Sequence, residues 1–215
     1  MNILFIVLAT IVAYLLGSIP SAVWIGKVFF NTDVRNFGSG NAGATNTFRV
    51  LGKKAGIPVF IIDLLKAFAA TNLIYFYQIF IEPIPEGNLY INLQLLFGAA
   101  AVVGHILPVF AQFKGGKGVA CLLGVTIAIA PIPALLSFGI FICVLALFHY
   151  VSLGSICAGL AFPVIIFIIR PSDQLSLQTF SIMVAVLLIV THRKNIRRLV
   201  HGKETKTYLF KTQDK

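Results

Sequence analysis

Three polar runs interrupt a chain that is otherwise mostly hydrocarbon, and each is built from residue types that hold anions. The first, from Arg35 to Arg49, reads RNFGSGNAGATNTFR. Its glycines, Gly38, Gly40 and Gly43, let the backbone come close to a ligand, and successive N–H groups can form an anion nest. Ser39, Asn41, Thr45 and Asn46 add hydrogen-bonding side chains, and Arg49 offers the fork that clamps a phosphate at two points. Arg35 serves equally well as a surface anchor. Residues 38–43 spell G-x-G-x-x-G. A dinucleotide fingerprint, however, needs a strand before it and a helix after it in a βαβ unit, and here an apolar segment precedes it. A plain flexible loop is the competing reading, but it leaves the mixture of Asn, Thr and Arg without a purpose.

The second run, residues 104–120, reads GHILPVFAQFKGGKGVA. A Walker A loop in this register would need glycine at position 111 and a hydroxyl residue at position 118, where Ala111 and Gly118 stand. What remains is a glycine turn with two ammonium groups, Lys114 and Lys117, at the start of a following helix, where an anion is favoured. For Lys114 the alternative is a basic anchor at the membrane surface. His105 stands alone among apolar residues, as a hydrogen-bonded packing group or as a ligand. The third run begins Thr191-His192-Arg193-Lys194-Asn195 and continues through Arg197 and Arg198. A basic stop signal on anionic headgroups accounts for the arginines. It does not account for His192 and Asn195, which share a helix face at i, i+3. Asp63 and Lys66 have the same spacing inside an apolar stretch, where a pair of charges must find each other or face a cavity.

Other chemistries lack their residues. The four histidines are scattered, with no H-x-x-x-H or H-E-x-x-H spacing, so no metal site is expected. Nothing points to an organic cofactor. There is no G-x-S-x-G elbow. Cys121, Cys143 and Cys157 all fall in apolar segments and are expected to be small buried side chains.

The elements that position these runs follow from composition. The chain has 215 residues, 58% hydrophobic and 11% charged, against about 25% charged in a soluble domain. We therefore expect an all-α polytopic membrane protein. Helices are favoured over a barrel because a backbone in lipid must satisfy itself and no ten-residue alternation occurs. Seven apolar stretches are long enough to consider as spans, at about 3–27, 56–81, 92–111, 117–132, 134–150, 153–170 and 175–192. Pro20 is expected to kink the first, and the fourth and fifth are separated only by Pro131 and Pro133. The N-terminal run has no basic n-region and is read as a span rather than a cleaved signal. Residues 1–208 form one membrane domain in this reading, with 209–215 a short polar tail.

The net charge of +10 is not a nucleic-acid footprint, since no basic and aromatic surface module accompanies it. It marks topology instead. Five Lys or Arg lie in the first loop, two in the third and eight after the last span, while Glu82–Asn92 has none. By the positive-inside rule those three regions face the cytoplasm and the N-terminus faces outward. All three polar runs then lie on the cytoplasmic side.

In this order the runs resemble the acyl-phosphate-dependent glycerol-3-phosphate acyltransferases of bacteria, the PlsY family. The resemblance is carried by GSIPSA at 17–22, GSGNAGATNTFR at 38–49, DLLKA at 63–67, residues 104–120, and HRKNIRRLVHGKE at 192–204. It extends over the whole chain. One departure is Cys121, where the family often has Thr.

The resemblance implies transfer of a fatty acyl group from acyl phosphate to the 1-position of glycerol 3-phosphate, giving lysophosphatidic acid and phosphate in phospholipid biosynthesis. It implies a bacterial inner-membrane enzyme with its active site at the cytoplasmic face, surrounded by membrane lipids. A functional link to the enzyme that makes acyl phosphate follows. Carried over residue by residue, Ser39, Asn41 and Thr45 match the acyl-phosphate or reaction-centre side. Arg49, Lys117 and Asn195 match groups expected on the glycerol phosphate, with His192 near the junction. Ser39, Asn41 and His192 are the expected catalytic residues, and Gly40, Asn46 and Lys114 join Thr45, Arg49, Lys117 and Asn195 as expected substrate-binding residues. Two roles stand for His192: general base, or positioner with a substrate phosphate oxygen as the base. The rival class is a membrane transporter of a phosphorylated solute, which should show polar residues along several spans and on both faces.

Overall fold

The structure is a computed structural model and describes residues 3–80, 86–169 and 175–207. The expected polar tail at 209–215, residues 82–85 of the second loop, and Arg170 with Asp173 lie outside the described residues. The described residues are helical, without strands. They fall into two units, Met1–Pro131 and Ile132–Lys215.

In the first unit the opening span is two helices, α1 (Ile3–Gly17) and α2 (Ser21–Phe30), bent by 41°. Pro20 causes the break. It has no N–H to donate and it drives Ile19 out of the helical region. A 3₁₀ turn at Val34–Asn36 and the first polar loop lead to α3 (Ala44–Leu51). Next comes α4 (Lys53–Thr71), which runs through a second 3₁₀ turn into α5 (Tyr75–Phe80). The unit continues with α6 (Asn88–Ile106) and, after the second polar run, with α7 (Val119–Ile129). Helix α6 lies against α1, and α7 lies against α4. Both contacts are backbone-close. A Cβ at Gly17 would run into the Ala101 carbonyl, one at Gly104 into the Tyr14 carbonyl, and one at Gly124 into the Leu64 carbonyl. Small residues at such crossings are how helices pack where lipid is as apolar as the side chains.

The second unit holds α8 (Pro131–Phe148), α9 (Val151–Ile169), α10 (Leu175–Thr191) and α11 (Arg193–Val200). Here α10 packs on α9, and α11 turns away from α10 by 62°. Large apolar side chains such as Leu147, Ile168 and Leu175 stand more than seven-tenths exposed, as hydrocarbon-facing residues must.

Among the described residues, four helices are long and apolar enough to cross a membrane, or up to six if each bent pair is one span. The fourth expected span differs most. Gly118 takes a left-handed φ of +86° and Ala130 leaves the helix at ψ +73°, so α7 has only 11 residues. At 1.5 Å per residue that is about half the hydrocarbon thickness.

Candidate functional site

The first polar run is fixed from within. Asp33 accepts from the Arg35 backbone N–H at 3.1 Å, and the Arg35 guanidinium grips the same carboxylate through Nε at 2.9 Å and Nη2 at 2.7 Å. The Arg35 hydrogen bonds hold the Asp33 carboxyl far below its ordinary range, against the opposing effect of burial, and Lys27 at 3.4 Å adds to the lowering. Arg35 also reaches across to the second run, where Nη1 donates to the Ala111 carbonyl at 3.1 Å. It is therefore a clamp between two loops.

Asn46 is buried, and its amide is engaged at both ends. Nδ2 donates to the carbonyls of Val34 at 2.8 Å and Phe37 at 3.1 Å, and Oδ1 accepts from Ser39 N–H at 2.8 Å. Gly38, at φ +60°, is pressed so closely on Oδ1 that a Cβ would collide with it. The loop is thereby folded back with Ser39 and Gly40 exposed at its tip. Thr45, also exposed, sits in the first turn of α3, and Arg49 stands half-buried in the last turn. Asn41 brings its Nδ2 to 3.5 Å from the Gly115 carbonyl.

The second run is a tight coil. Phe113 N–H donates to the Pro108 carbonyl at 2.8 Å, Lys114 N–H to Ala111 at 3.2 Å, and Gly116 N–H to His105 at 3.1 Å. Gln112 and Phe113 both take positive φ, 58° and 59°, a costly conformation for residues with a Cβ. Lys114 is exposed and Lys117 half-buried, immediately before the left-handed Gly118 that opens α7. The first two runs thus meet within one unit, through Arg35 with Ala111 and Asn41 with Gly115.

Beneath them lies a buried ionic cluster. Asp63, Lys66 and His105 are each less than a tenth exposed. Asp63 Oδ1 accepts from Lys66 Nζ at 2.7 Å and from Ser21 Oγ at 2.7 Å. Lys66 also donates to the Ile19 carbonyl at 2.7 Å and lies 3.2 Å from His105 Nδ1. The Ile19 carbonyl is available because Pro20 broke the helix there. Cys121 donates to the Asp63 carbonyl at 3.2 Å. Asp63, His105 and Cys121 could together offer three metal-ligand atoms, but the cation among them is the Lys66 ammonium, which would repel a metal ion. A small pocket above the cluster is lined by Pro20, Ala42, Lys66, His105 and Gly115, so it opens toward both loops.

In the second unit, His192 is buried where α10 turns into α11. Its Nδ1 lies 2.9 Å from the Leu188 carbonyl. A carbonyl only accepts, so Nδ1 carries a proton. Asn195, also buried, donates to Glu204 Oε1 at 2.7 Å. Ser152 donates to the same oxygen at 3.1 Å, and Arg198 Nε donates to Oε2 at 2.6 Å. Burial would raise the Glu204 pKa, but the bonds from Arg198, Asn195 and Ser152 prevail and lower it.

Sequence reasoning passed over Glu204 and Ser152. Glu204 had a signal, being the one acid among the basic residues of 193–206. Ser152 had none, since a serine in an apolar helix is unremarkable until its partner is seen. Two cysteines also depart from expectation. Cys121 is buried, but Cys143 is exposed and Cys157 only partly covered. A small apolar side chain is as comfortable against lipid as against protein.

A sequence model of the family described as glycerol-3-phosphate acyltransferase matches residues 7–202. A glycerol-3-phosphate acyltransferase of Chlorobium phaeobacteroides (strain BS1) is 43% identical over 220 residues, covering 91% of this chain and 93% of that one. One from Enterococcus faecalis (strain ATCC 700802 / V583) is 44% identical over 208 residues, covering 94% and 91%. Among solved structures, the crystal structure of PlsY (YgiH), an integral membrane glycerol 3-phosphate acyltransferase, in its glycerol 3-phosphate form superposes with a TM-score of 0.83 at 38% identity. That match covers 96% of this chain and 99% of the other. The lysophosphatidic acid form superposes at 0.79, with the same identity.

Proposed function

This chain belongs to the glycerol-3-phosphate acyltransferase family, and from that premise we propose that it moves a fatty acyl group from acyl phosphate to the 1-hydroxyl of glycerol 3-phosphate. It is an integral membrane acyltransferase. The products are lysophosphatidic acid and inorganic phosphate. The observation that carries the reading is the meeting of the first two polar runs, which sets glycine backbone, Ser39, Asn41, Thr45 and two half-buried cations, Arg49 and Lys117, in one unit.

The chemistry asks little covalent help from the protein. Acyl phosphate is a mixed anhydride. The 1-hydroxyl oxygen attacks its carbonyl carbon, the bond from that carbon to the phosphate oxygen breaks, and phosphate departs with the electron pair. The hydroxyl proton passes to a phosphate oxygen of the substrate, which is our preferred base. The protein contributes orientation and charge neutralisation. Ser39, Gly40, Asn41 and Thr45 serve the acyl phosphate and the reaction centre. Asn46 serves them by shaping the loop. Arg49, Lys117 and Asn195 take the phosphate of glycerol 3-phosphate, and Lys114 adds cationic attraction at the entrance. Glu204 and Ser152 hold the Asn195 amide. His192, its Nδ1 proton committed to Leu188, acts as a positioner.

Both substrates carry phosphate, and one carries a chain that belongs in lipid, so the reaction suits a membrane surface. The distribution of basic residues supports a cytoplasmic face, an external N-terminus and about seven crossings in a bacterial inner membrane. A functional link to the enzyme that makes acyl phosphate follows from the short life of that donor in water. The deciding assay supplies purified full-length protein with labelled glycerol 3-phosphate and, separately, acyl phosphate, acyl-CoA or acyl carrier protein. Lysophosphatidic acid should form from acyl phosphate alone; formation from either thioester instead would overturn the donor assignment.

A further inference from the structure

The proposed reaction gives no work to three buried ionisable side chains, Asp63, Lys66 and His105. Burying an aspartate and a lysine at this depth is expensive, and a purely apolar contact would stabilise the fold as well or better. Their connections show what the cost secures. The cluster ties together four separate segments: the α1–α2 break through Ile19, the start of α2 through Ser21, α4 through Asp63 and Lys66, and α6 through His105.

His105 carries the connection on to the loop. His105 Nδ1 lies 3.2 Å from the Lys66 ammonium and 3.5 Å from Asp63 Oδ1, so both members of the ion pair hold that edge of the ring. That fixes the ring plane and leaves Nε2 on the far side, directed at Gly116. A Cβ on Gly116 would overlap Nε2, and one on Gly115 would overlap the His105 carbonyl. The Gly116 N–H is itself hydrogen-bonded to that carbonyl at 3.1 Å. The turn bearing Lys114 and Lys117 thus rests its two glycines on one histidine, Gly116 against the ring and Gly115 against the backbone carbonyl.

We propose that the buried Asp63–Lys66–His105 cluster is a positioning centre that holds the Lys114–Gly118 turn in its phosphate-receiving shape, with the His105 ring as the surface on which Gly116 is seated. This rests on the functional reading above for the turn's ligand, though not for its geometry. The three residues touch no reacting atom in this scheme. They act through the turn, so their loss should weaken saturation by glycerol 3-phosphate more than turnover.

The test is a double-mutant cycle on the full-length enzyme in detergent, using Gly116→Ala, His105→Ala and the pair. Gly116→Ala alone should raise KM for glycerol 3-phosphate severely while leaving KM for acyl phosphate near normal. Once His105→Ala has removed the ring, the added methyl has room, and the same glycine change should cost about tenfold less, a coupling in the range seen for touching residues. Additive losses, or equal rises in both KM values, would overturn the proposal. Amide exchange over residues 112–118 supplies a readout that needs no substrate. Lys66→Met should speed exchange there while peptides from α9 stay as in the wild type; an unchanged turn would count against the cluster's role. If Lys66→Met fails to fold, exchange in the His105→Ala protein decides the same point. Should the wild-type protein acylate nothing, the functional reading fails, and the exchange result still decides the positioning one.

Discussion

At the scale of single residues, the arginines of the first run have opposite fates. Arg35 spends its guanidinium on Asp33 and Ala111, and so holds one loop against the other. Arg49 stands half-buried at the end of α3. Arg49→Ala and Lys117→Ala should each lower kcat/KM for glycerol 3-phosphate by about 100-fold or more, the scale of a lost charge-assisted phosphate contact. Full activity in either, measured by the lysophosphatidic acid assay, would remove the phosphate role. His192→Ala should keep turnover within a few-fold while raising KM for glycerol 3-phosphate, because a substrate phosphate carries the proton. A collapse of kcat with loss of the acid limb of the pH profile would restore His192 as the base.

At the scale of elements, the corner between α10, α11 and the segment to Glu204 is a carboxylate gathering three donors. Its pKa is lowered on folding, so its contribution is fully present above the ordinary glutamate range. That contribution is lost as pH falls through the lowered value. Thermal unfolding of the wild type should therefore lose stability on the acid side, and Glu204→Gln should show a flatter profile there from a lower starting point. The backbone-close crossing of α1 and α6 makes a second expectation. Gly104→Ala should depress the unfolding midpoint, by an amount corresponding to about 1–3 kcal/mol of overpacking, with normal substrate KM in the protein that still folds.

The same scale shows what could be read in advance. The apolar stretches at 134–150, 153–170 and 175–192 became α8, α9 and α10 with shifts of a few residues, because long hydrocarbon runs leave the backbone no alternative. The stretch at 117–132 was read too long. Hydropathy does not register that Gly118 sits left-handed or that Ala130 turns out of the helix before Pro131. The anion-holding runs were visible from residue type. The partners that shape them were not, since Asn46 with Val34, Arg35 with Ala111 and Asn195 with Glu204 are matters of chain reversal rather than local pattern.

At the scale of the whole molecule, the proposed orientation puts the first loop and the C-terminal segment on one side of the membrane. Thiol labelling checks this. In a background with Cys121, Cys143 and Cys157 replaced by alanine, Glu86→Cys should react with an impermeant maleimide in intact cells. Lys203→Cys should react only after permeabilisation. The reverse pattern would invert the proposed orientation and move the chemistry to the outer surface.

The glycines set against backbone carbonyls and against His105 have a genetic consequence. Every amino acid reachable from a glycine codon by a single base change carries a Cβ, the one atom that Gly17, Gly104, Gly115 and Gly116 have no room for. Every single step at these positions costs packing. A growth inhibitor that drew its affinity from the backbone of the 115–116 turn would leave resistance few inexpensive routes, since escape there would have to arrive together with a second change that reopens the space.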